Sequence, residues 1–354
     1  MPKPSRQPAH RSHPLGRIAA AFITVAAMLP ALTRAQQPTY TNPVIAANFP
    51  DPTALRDVDG TYWVYGTRGD HPQANIQIAH STDLVHWTRL GDALPVKPTW
   101  ANQKQNFWAP DVHRFGSTYF MYYAAESNGS TVGKPGEGVQ GMCLGVATSR
   151  TAAGPFVDSG APLLCGKSFI DIDPMAFDDP ATGKHLLYWG SGFQPIEVQE
   201  LTEDRLHFKP GTTPTALIQP VPGGGDENYR RLVEGAWTTF HDGWYYLYFS
   251  GDNCCGEHAH YAVMVARSRS AFGPFASKGT NGVLLQANNT WLAPGHNSTV
   301  TDGAGQEWIL YHAIDPTHRD EGRLLLLDRI NYRDGWPTVN GETASAGPTP
   351  APKP

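Results

Sequence analysis

The chain lacks any long stretch in which apolar residues recur with a helical period, which argues against a fold built on helices. Beyond residue 35 it has no apolar run long enough to cross a bilayer. It has no surplus of basic residues: 27 Lys and Arg stand against 32 Asp and Glu, a net charge of −5. That balance makes nucleic acid and anionic membrane poor partners and favours a neutral ligand. It is also short of cysteine, with only four, Cys143, Cys165, Cys254 and Cys255. Four cysteines can pair in three ways; Cys143–Cys165, which closes a short loop, and the vicinal Cys254–Cys255 are the favoured pairs.

The first 35 residues stand apart. Lys3, Arg6, Arg11 and Arg17 precede an apolar run from Ile18 to Leu32, and Thr33-Arg34-Ala35 offers small residues for cleavage. This reads as a secretory leader, so the protein is expected outside the cytoplasm or in the periplasm. The leader holds five basic residues and no acidic one, so its removal takes −5 to −10. At the other end, residues 341–354 are Pro-rich and are expected to be disordered.

Between these ends one order of residues recurs: a polar motif, a Gly-marked turn, then an aromatic, β-branched run. Asp51 precedes Asp59-Gly60; Asp111 precedes Phe115-Gly116; Asp173 precedes Thr182-Gly183; Glu234 precedes Asp242-Gly243; His296 precedes Asp302-Gly303. Successive motif residues are 60, 62, 61 and 62 positions apart. A fixed interval marks a repeat architecture, and about 60 residues hold four short strands, one propeller blade. The expectation is an all-β, five-bladed β-propeller over residues 36–340, with four-stranded blades around a central channel. A pair of β-sandwiches or a β-helix does not predict this period.

In a propeller the innermost strands line the channel, so equivalent positions converge at one mouth. Asp51, Asp111, Asp173, Glu234 and His296 are therefore expected as an axial ring of four carboxylates and an imidazole. Crowded like charges push pKa values apart, which suits glycosidic hydrolysis with one acid and one base. Singly, each residue has a plainer reading. Asp before Pro opens turns, Glu234 could be a solvated loop charge, and His296 a core histidine. Asp111 reads as a scaffold or rim residue of the substrate site. A shared phase is what independent turn residues would lack.

The motifs themselves resemble glycoside hydrolase family 43: Phe-Pro-Asp-Pro at 49–52, Trp-Ala-Pro-Asp-Val at 108–112, Ile-Asp-Pro at 172–174, Val-Glu-Gly-Ala-Trp at 233–237 and Gly-His-Asn-Ser at 295–298. The resemblance spans the mature chain. It implies an inverting enzyme with Asp51 as general base, Glu234 as general acid and Asp173 tuning and orienting the acid. It implies a substrate among plant cell-wall polysaccharides, with Trp108 and Arg323 as further sugar contacts. No cofactor is implied for the chemistry, although His296 matches an axial histidine beside a water-held calcium ion. The wording around Asp252-Asn253-Cys254-Cys255 points to α-L-arabinofuranosyl linkages. A β-xylosidase of the same family, or a propeller that binds sugar without cutting it, stays open.

Overall fold

The computed structural model describes residues 37–69, 74–131 and 141–354, together with Met1 and Pro4. The expected leader, apart from Met1 and Pro4, lies outside the described residues. From Pro38 to Pro354 the chain forms one unit. Among the described residues its regular structure is strand throughout, save two 3-10 turns at Arg319–Glu321 and Asn340–Glu342.

Five antiparallel sheets follow one another in chain order. The first blade comprises Thr53–Arg56, Tyr62–Thr67, Ile76–Ser81 and Thr88–Asp92. The second runs Phe107–Phe115, Thr118–Glu126, Met142–Ser149 and Val157–Asp158, with Leu164–Cys165 also on its third strand. The third holds Met175–Asp178, His185–Trp189, Ile196–Glu200 and Thr215–Ile218. The fourth holds Val233–His241, Trp244–Asn253 and His260–Ser268, edged by Ala276–Ser277 and Val283–Leu285. The fifth has three strands, Leu292–Thr301, Glu307–Ile314 and Leu324–Arg329. The first strands of the five sheets touch one another in cyclic order, fifth against first included. The ring is closed.

The core lies between blades rather than at the axis. Tyr65, Met121 and Phe156 pack between the first two sheets, and Tyr122, Trp189 and Leu187 between the next two. Full burial of each such side chain contributes about 1.5–3 kcal/mol, which is why the second strands read as aromatic runs. Both favoured cysteine pairs are bonded, Cys143–Cys165 across neighbouring strands at an S–S distance of 2.04 Å and Cys254–Cys255 as a vicinal bridge.

The C-terminal tail departs from expectation. Residues 341–354, expected to be disordered, are placed: Thr349–Pro350 pairs with Thr39–Tyr40, and Lys353 donates its backbone N–H to Asp302. Next to this pair, Ile45 bridges Leu325 on the open edge of the three-stranded fifth sheet, and Asn42 bonds both Leu327 and Ser345. The composition misleads because a fifth sheet without its own outer strand leaves an edge to cover. A proline, which cannot donate to a ladder, is tolerated in an edge pair.

Candidate active site

Each inner strand begins with a backbone kink. Asp51, Ala109, Asp173, Gly235 and His296 have φ of 54°, 45°, 59°, 59° and 47°, all in the left-handed region. Asp and His enter that region more readily than most residues but still at a cost, and such strain collects at functional sites. Four of these residues hand their backbone N–H to a side chain of the preceding blade. Asp51 donates to His312 Nδ1 (3.2 Å), Ala109 to Thr67 Oγ1 (2.7 Å), Gly235 to Asp173 Oδ2 (3.0 Å) and His296 to Ser250 Oγ (2.7 Å). The kinks are thus pinned across blade boundaries, which fixes the side chains at the channel mouth.

This common feature corrects the expected ring. Asp51, Asp173 and His296 occupy the kink itself, but Glu234 lies one residue before its kink and Asp111 two residues after. Asp111 consequently takes the place of Ser298 in the fifth blade. Its Oδ2 accepts the N–H of Ala176 in the third blade (2.7 Å), as Ser298 accepts that of Ala54 in the first (3.0 Å). Its other oxygen is 3.0 Å from His113 Nε2. Asp111 is 2 % exposed and lies off the cavity lining, so it is an inter-blade staple and not a sugar contact.

Asp51, Asp173, Glu234, His296, Trp108 and Arg323 do come together, around a cavity of about 370 Å³. Asp51 Oδ1 accepts from Arg323 Nη1 at 2.7 Å, and its Oδ2 from Thr67 Oγ1 at 2.6 Å. Burial alone would raise this carboxyl, yet the Arg323 guanidinium, with His296 and His312 behind it, holds it well below the usual carboxylate range. That favours its ionised form.

Glu234 is driven the other way. Burial raises its pKa, against the donors Ser191 Oγ (2.5 Å to Oε2) and Tyr261 OH (2.8 Å to Oε1), and the charge of Asp51 adds to the rise. Asp173 is raised well above its ordinary value by burial, then by the charges of Glu234 and Asp51. The two titrate as a pair, and the pair keeps a proton into a range where isolated carboxyls have lost theirs. Two glycines make this packing possible. A Cβ on Gly295 would stand 1.9 Å from the Tyr261 ring, and one on Gly235 would stand 3.3 Å from His296 Nδ1. Trp237, three residues after Glu234, stacks on His113 with centroids 5.7 Å apart.

His296 Nδ1 is 3.5 Å from Asp51 and 3.7 Å from Asp173, and burial lowers its pKa, so it is neutral. His312, fully buried, is lowered to about 4 by burial and then by Arg323. With Nδ1 accepting from Asp51 N–H, its proton sits on Nε2. Trp108 stacks on Phe169 at 5.9 Å, and Phe193, 67 % exposed, lines the same cavity as the Cys254–Cys255 bridge.

Comparison with known proteins agrees with this geometry. The family model described as Glycosyl hydrolases family 43 matches residues 40–337. The chain belongs to this family. It is therefore a family 43 glycoside hydrolase. A probable arabinan endo-1,5-alpha-L-arabinosidase A of Aspergillus flavus is 29 % identical over 324 residues, 85 % of this chain and 94 % of that protein. The extracellular endo-alpha-(1->5)-L-arabinanase 1 of Bacillus subtilis is 28 % identical over 306 residues, 81 % of this chain and 86 % of its own. The crystal structure of a thermostable family-43 glycoside hydrolase superposes with a TM-score of 0.74 at 26 % identity, covering 89 % of this chain and all of the other.

Within this family 43 site, four polar contacts escaped sequence reasoning: Thr67, His312, Ser191 and Tyr261. Two of them carry a signal. Thr67, Ser250 and His312 each stand seven residues after a turn glycine, Gly60, Gly243 and Gly305. Ser191 and Tyr261 have no such counterpart and reach Glu234 from the third and fourth blades.

Proposed function

We propose that this hydrolase is secreted and cleaves α-L-arabinofuranosyl linkages of arabinan by single displacement, with Asp51 as general base, Glu234 as general acid and Asp173 holding and orienting the acid. One observation carries the reading. Two buried carboxyls on one cavity are pushed in opposite directions, Asp51 down by Arg323 and Glu234 up as part of a proton-retaining pair. Divergent pKa values of this kind are how acid and base are told apart. The arabinan-cleaving names of the fungal and Bacillus relatives support arabinan as the substrate, and the extracellular name of the latter, with the leader-like first 35 residues, supports secretion.

In the proposed step a water oxygen attacks the anomeric carbon while Asp51 takes one of its protons. The bond to the leaving oxygen breaks as that oxygen receives the proton of Glu234, and the anomer inverts. Asp51 is left neutral and Glu234 ionised, and exchange with solvent restores both. The indole of Trp108 and the Cys254–Cys255 bridge offer apolar faces to the sugar ring, with Arg323 and His296 at its hydroxyls.

A calcium ion beside His296 is part of the proposal. Among the described residues no group of three or more His, Cys, Asp and Glu could hold a metal. The residue after His296, Asn297, is buried with an amide oxygen lacking a partner. One amide oxygen and one neutral imidazole suit an ion held mainly by water, since calcium favours oxygen. Such an ion would supply positive potential only. Treatment with a chelator should then leave the fold intact, as read by circular dichroism, and at most slow hydrolysis; unfolding would contradict this.

The activity test is release of sugar from linear arabinan, with the first-formed anomer read by proton NMR. Inversion is expected, and retention overturns the mechanism. Faster cleavage of an aryl xyloside would point to a β-xylosidase, and retention on arabinan gel without cleavage to a binding protein. The pH profile checks the electrostatics. Arg323 lowers the pKa of Asp51, Asp173 and Glu234 alike. In Arg323→Gln the acid limb of kcat/KM, where the base gains its proton, and the alkaline limb, where the acid loses its own, should both move to higher pH. Movement of one limb only would show that Arg323 does not reach both groups.

A further inference from the structure

The two oxygens of Glu234 have different kinds of neighbour. Oε2 accepts from Ser191 Oγ, and Oε1 accepts from Tyr261 OH. Ser191 lines the catalytic cavity beside Glu234, whereas Tyr261, 1 % exposed, does not. Oε2 is therefore the oxygen on the cavity side, and Oε1 is turned into the protein. A proton on Oε2 can reach a leaving oxygen in the cavity directly. A proton on Oε1 would need the carboxyl to rotate first, at the expense of both hydrogen bonds.

The two donors also differ in freedom. Ser191 sits in a turn, with Gln194 N–H on its carbonyl at 3.1 Å, and its hydroxyl can swing about the Cβ–Oγ bond. Tyr261 lacks that latitude. It lies near the start of the third strand of the fourth blade, opposite Asp252, with its ring against Gly295. The ring is parallel to that of His312, with centroids 5.7 Å apart and planes 3° apart. Conjugation keeps a phenolic O–H in the plane of its ring, so a fixed ring aims a fixed donor. His312 in turn accepts the backbone N–H of Asp51 at 3.2 Å. The ring that meets the acid thus rests on the ring that pins the base.

We infer that Tyr261 is the positioning residue of the general acid: its hydroxyl holds Glu234 Oε1, leaves Oε2 to carry the proton into the cavity, and tightens its hold as charge develops on the carboxyl. The inference rests on the role given to Glu234 above. As the Oε2–H bond breaks and its proton passes to the leaving oxygen, the carboxyl becomes a carboxylate. The Tyr261 O–H stays intact, and its hydrogen bond strengthens because the acceptor is now charged. An interaction that is stronger in the transition state than before it raises the rate. Tyr261 keeps its own proton, since burial and then the charges of Glu234 and Asp173 hold its pKa well above the usual value. The charged groups around the acid are Asp51, Asp173 and Arg323, with His296 and His312 beyond Asp51. Asp252, on the strand next to Tyr261, is paired with Arg231 and His260.

The test is Tyr261→Phe, which removes one oxygen and keeps the ring on His312. Its kcat on arabinan should fall roughly tenfold, the equivalent of ~1.4 kcal/mol, with a smaller loss on an aryl arabinofuranoside that has an acidic phenol. The ionised carboxylate loses a donor, so the alkaline limb of kcat/KM should move to higher pH. The acid limb, set by Asp51, should stay, unlike in Arg323→Gln. A ring that only fills space would move neither limb. Ser191→Ala removes the other donor and should raise the same limb, which leaves an answer if one variant does not fold. An unmoved alkaline limb, or equal losses on the two substrates, overturns the assignment. Carbon-13 NMR of the Glu234 carboxyl, identified by its absence in Glu234→Gln, reads the same shift without turnover. Should the wild type be inert or retain the anomer, the catalytic reading falls, and this titration, expected to move up in Tyr261→Phe, alone decides whether Tyr261 holds Oε1.

Discussion

Glu234→Gln is expected to lose roughly 10³-fold in kcat on arabinan, within the range for removal of a general acid, while losing far less on an aryl arabinofuranoside with an acidic phenol. The difference comes from the leaving oxygen. An alkoxide leaving a sugar chain needs its proton in the transition state, whereas a stabilised phenolate does not. The substitution should leave the surroundings in place. The two groups bonded to Glu234 are the hydroxyls of Ser191 and Tyr261, and a hydroxyl can turn to accept from an amide as readily as it donates to a carboxylate. Substrate binding should therefore survive. The measurement is the ratio of kcat losses on the two substrates. A ratio near one would remove Glu234 from the acid's role.

Asp51→Asn should instead lose roughly 10³–10⁴-fold on both substrates, because activation of water is needed whatever the leaving group. The amide keeps an oxygen for Arg323 Nη1, 2.7 Å away in the wild type. It loses the charge that this guanidinium and the two histidines are arranged around. His296 and His312, both lowered by burial, feel Asp51 as the force raising them. Without it they should become still harder to protonate, so an accompanying upward shift in either histidine, followed by NMR, would contradict the electrostatic account. Retained activity on the aryl substrate alone would mean that the base lies elsewhere.

Much of this was legible in the residues, for identifiable reasons. The propeller shows in the text because every blade must turn between its first and second strands, and a Gly marks each such turn at a nearly constant interval. Asp51, Asp173, Glu234 and His296 show because all sit at or beside the kink that opens an inner strand. The same interval misplaces Asp111, since a spacing of 60 against 62 does not reveal whether a carboxylate sits on the kink or two residues past it. That displacement turns it from the cavity to the next blade. Ser191 and Tyr261 were illegible for a different reason. They arise from single blades, with no repeat to compare, and reach Glu234 only through tertiary packing. The tail failed because composition reports what a segment can do alone, whereas Thr349–Pro350 is held by a partner at Thr39–Tyr40 that is over 300 positions away.

That last pairing has a bearing on how the molecule is made. Thr39–Tyr40 and Thr349–Pro350 flank the whole series of blades in the chain, so this clasp cannot form until the two have been brought together. The edge of the fifth sheet is covered at Leu325 and Leu327 by Ile45 and Asn42, which sets a contact between residues 285 positions apart at the same seam. Contacts between such distant partners form slowly, so completion of the circle should set the pace of folding.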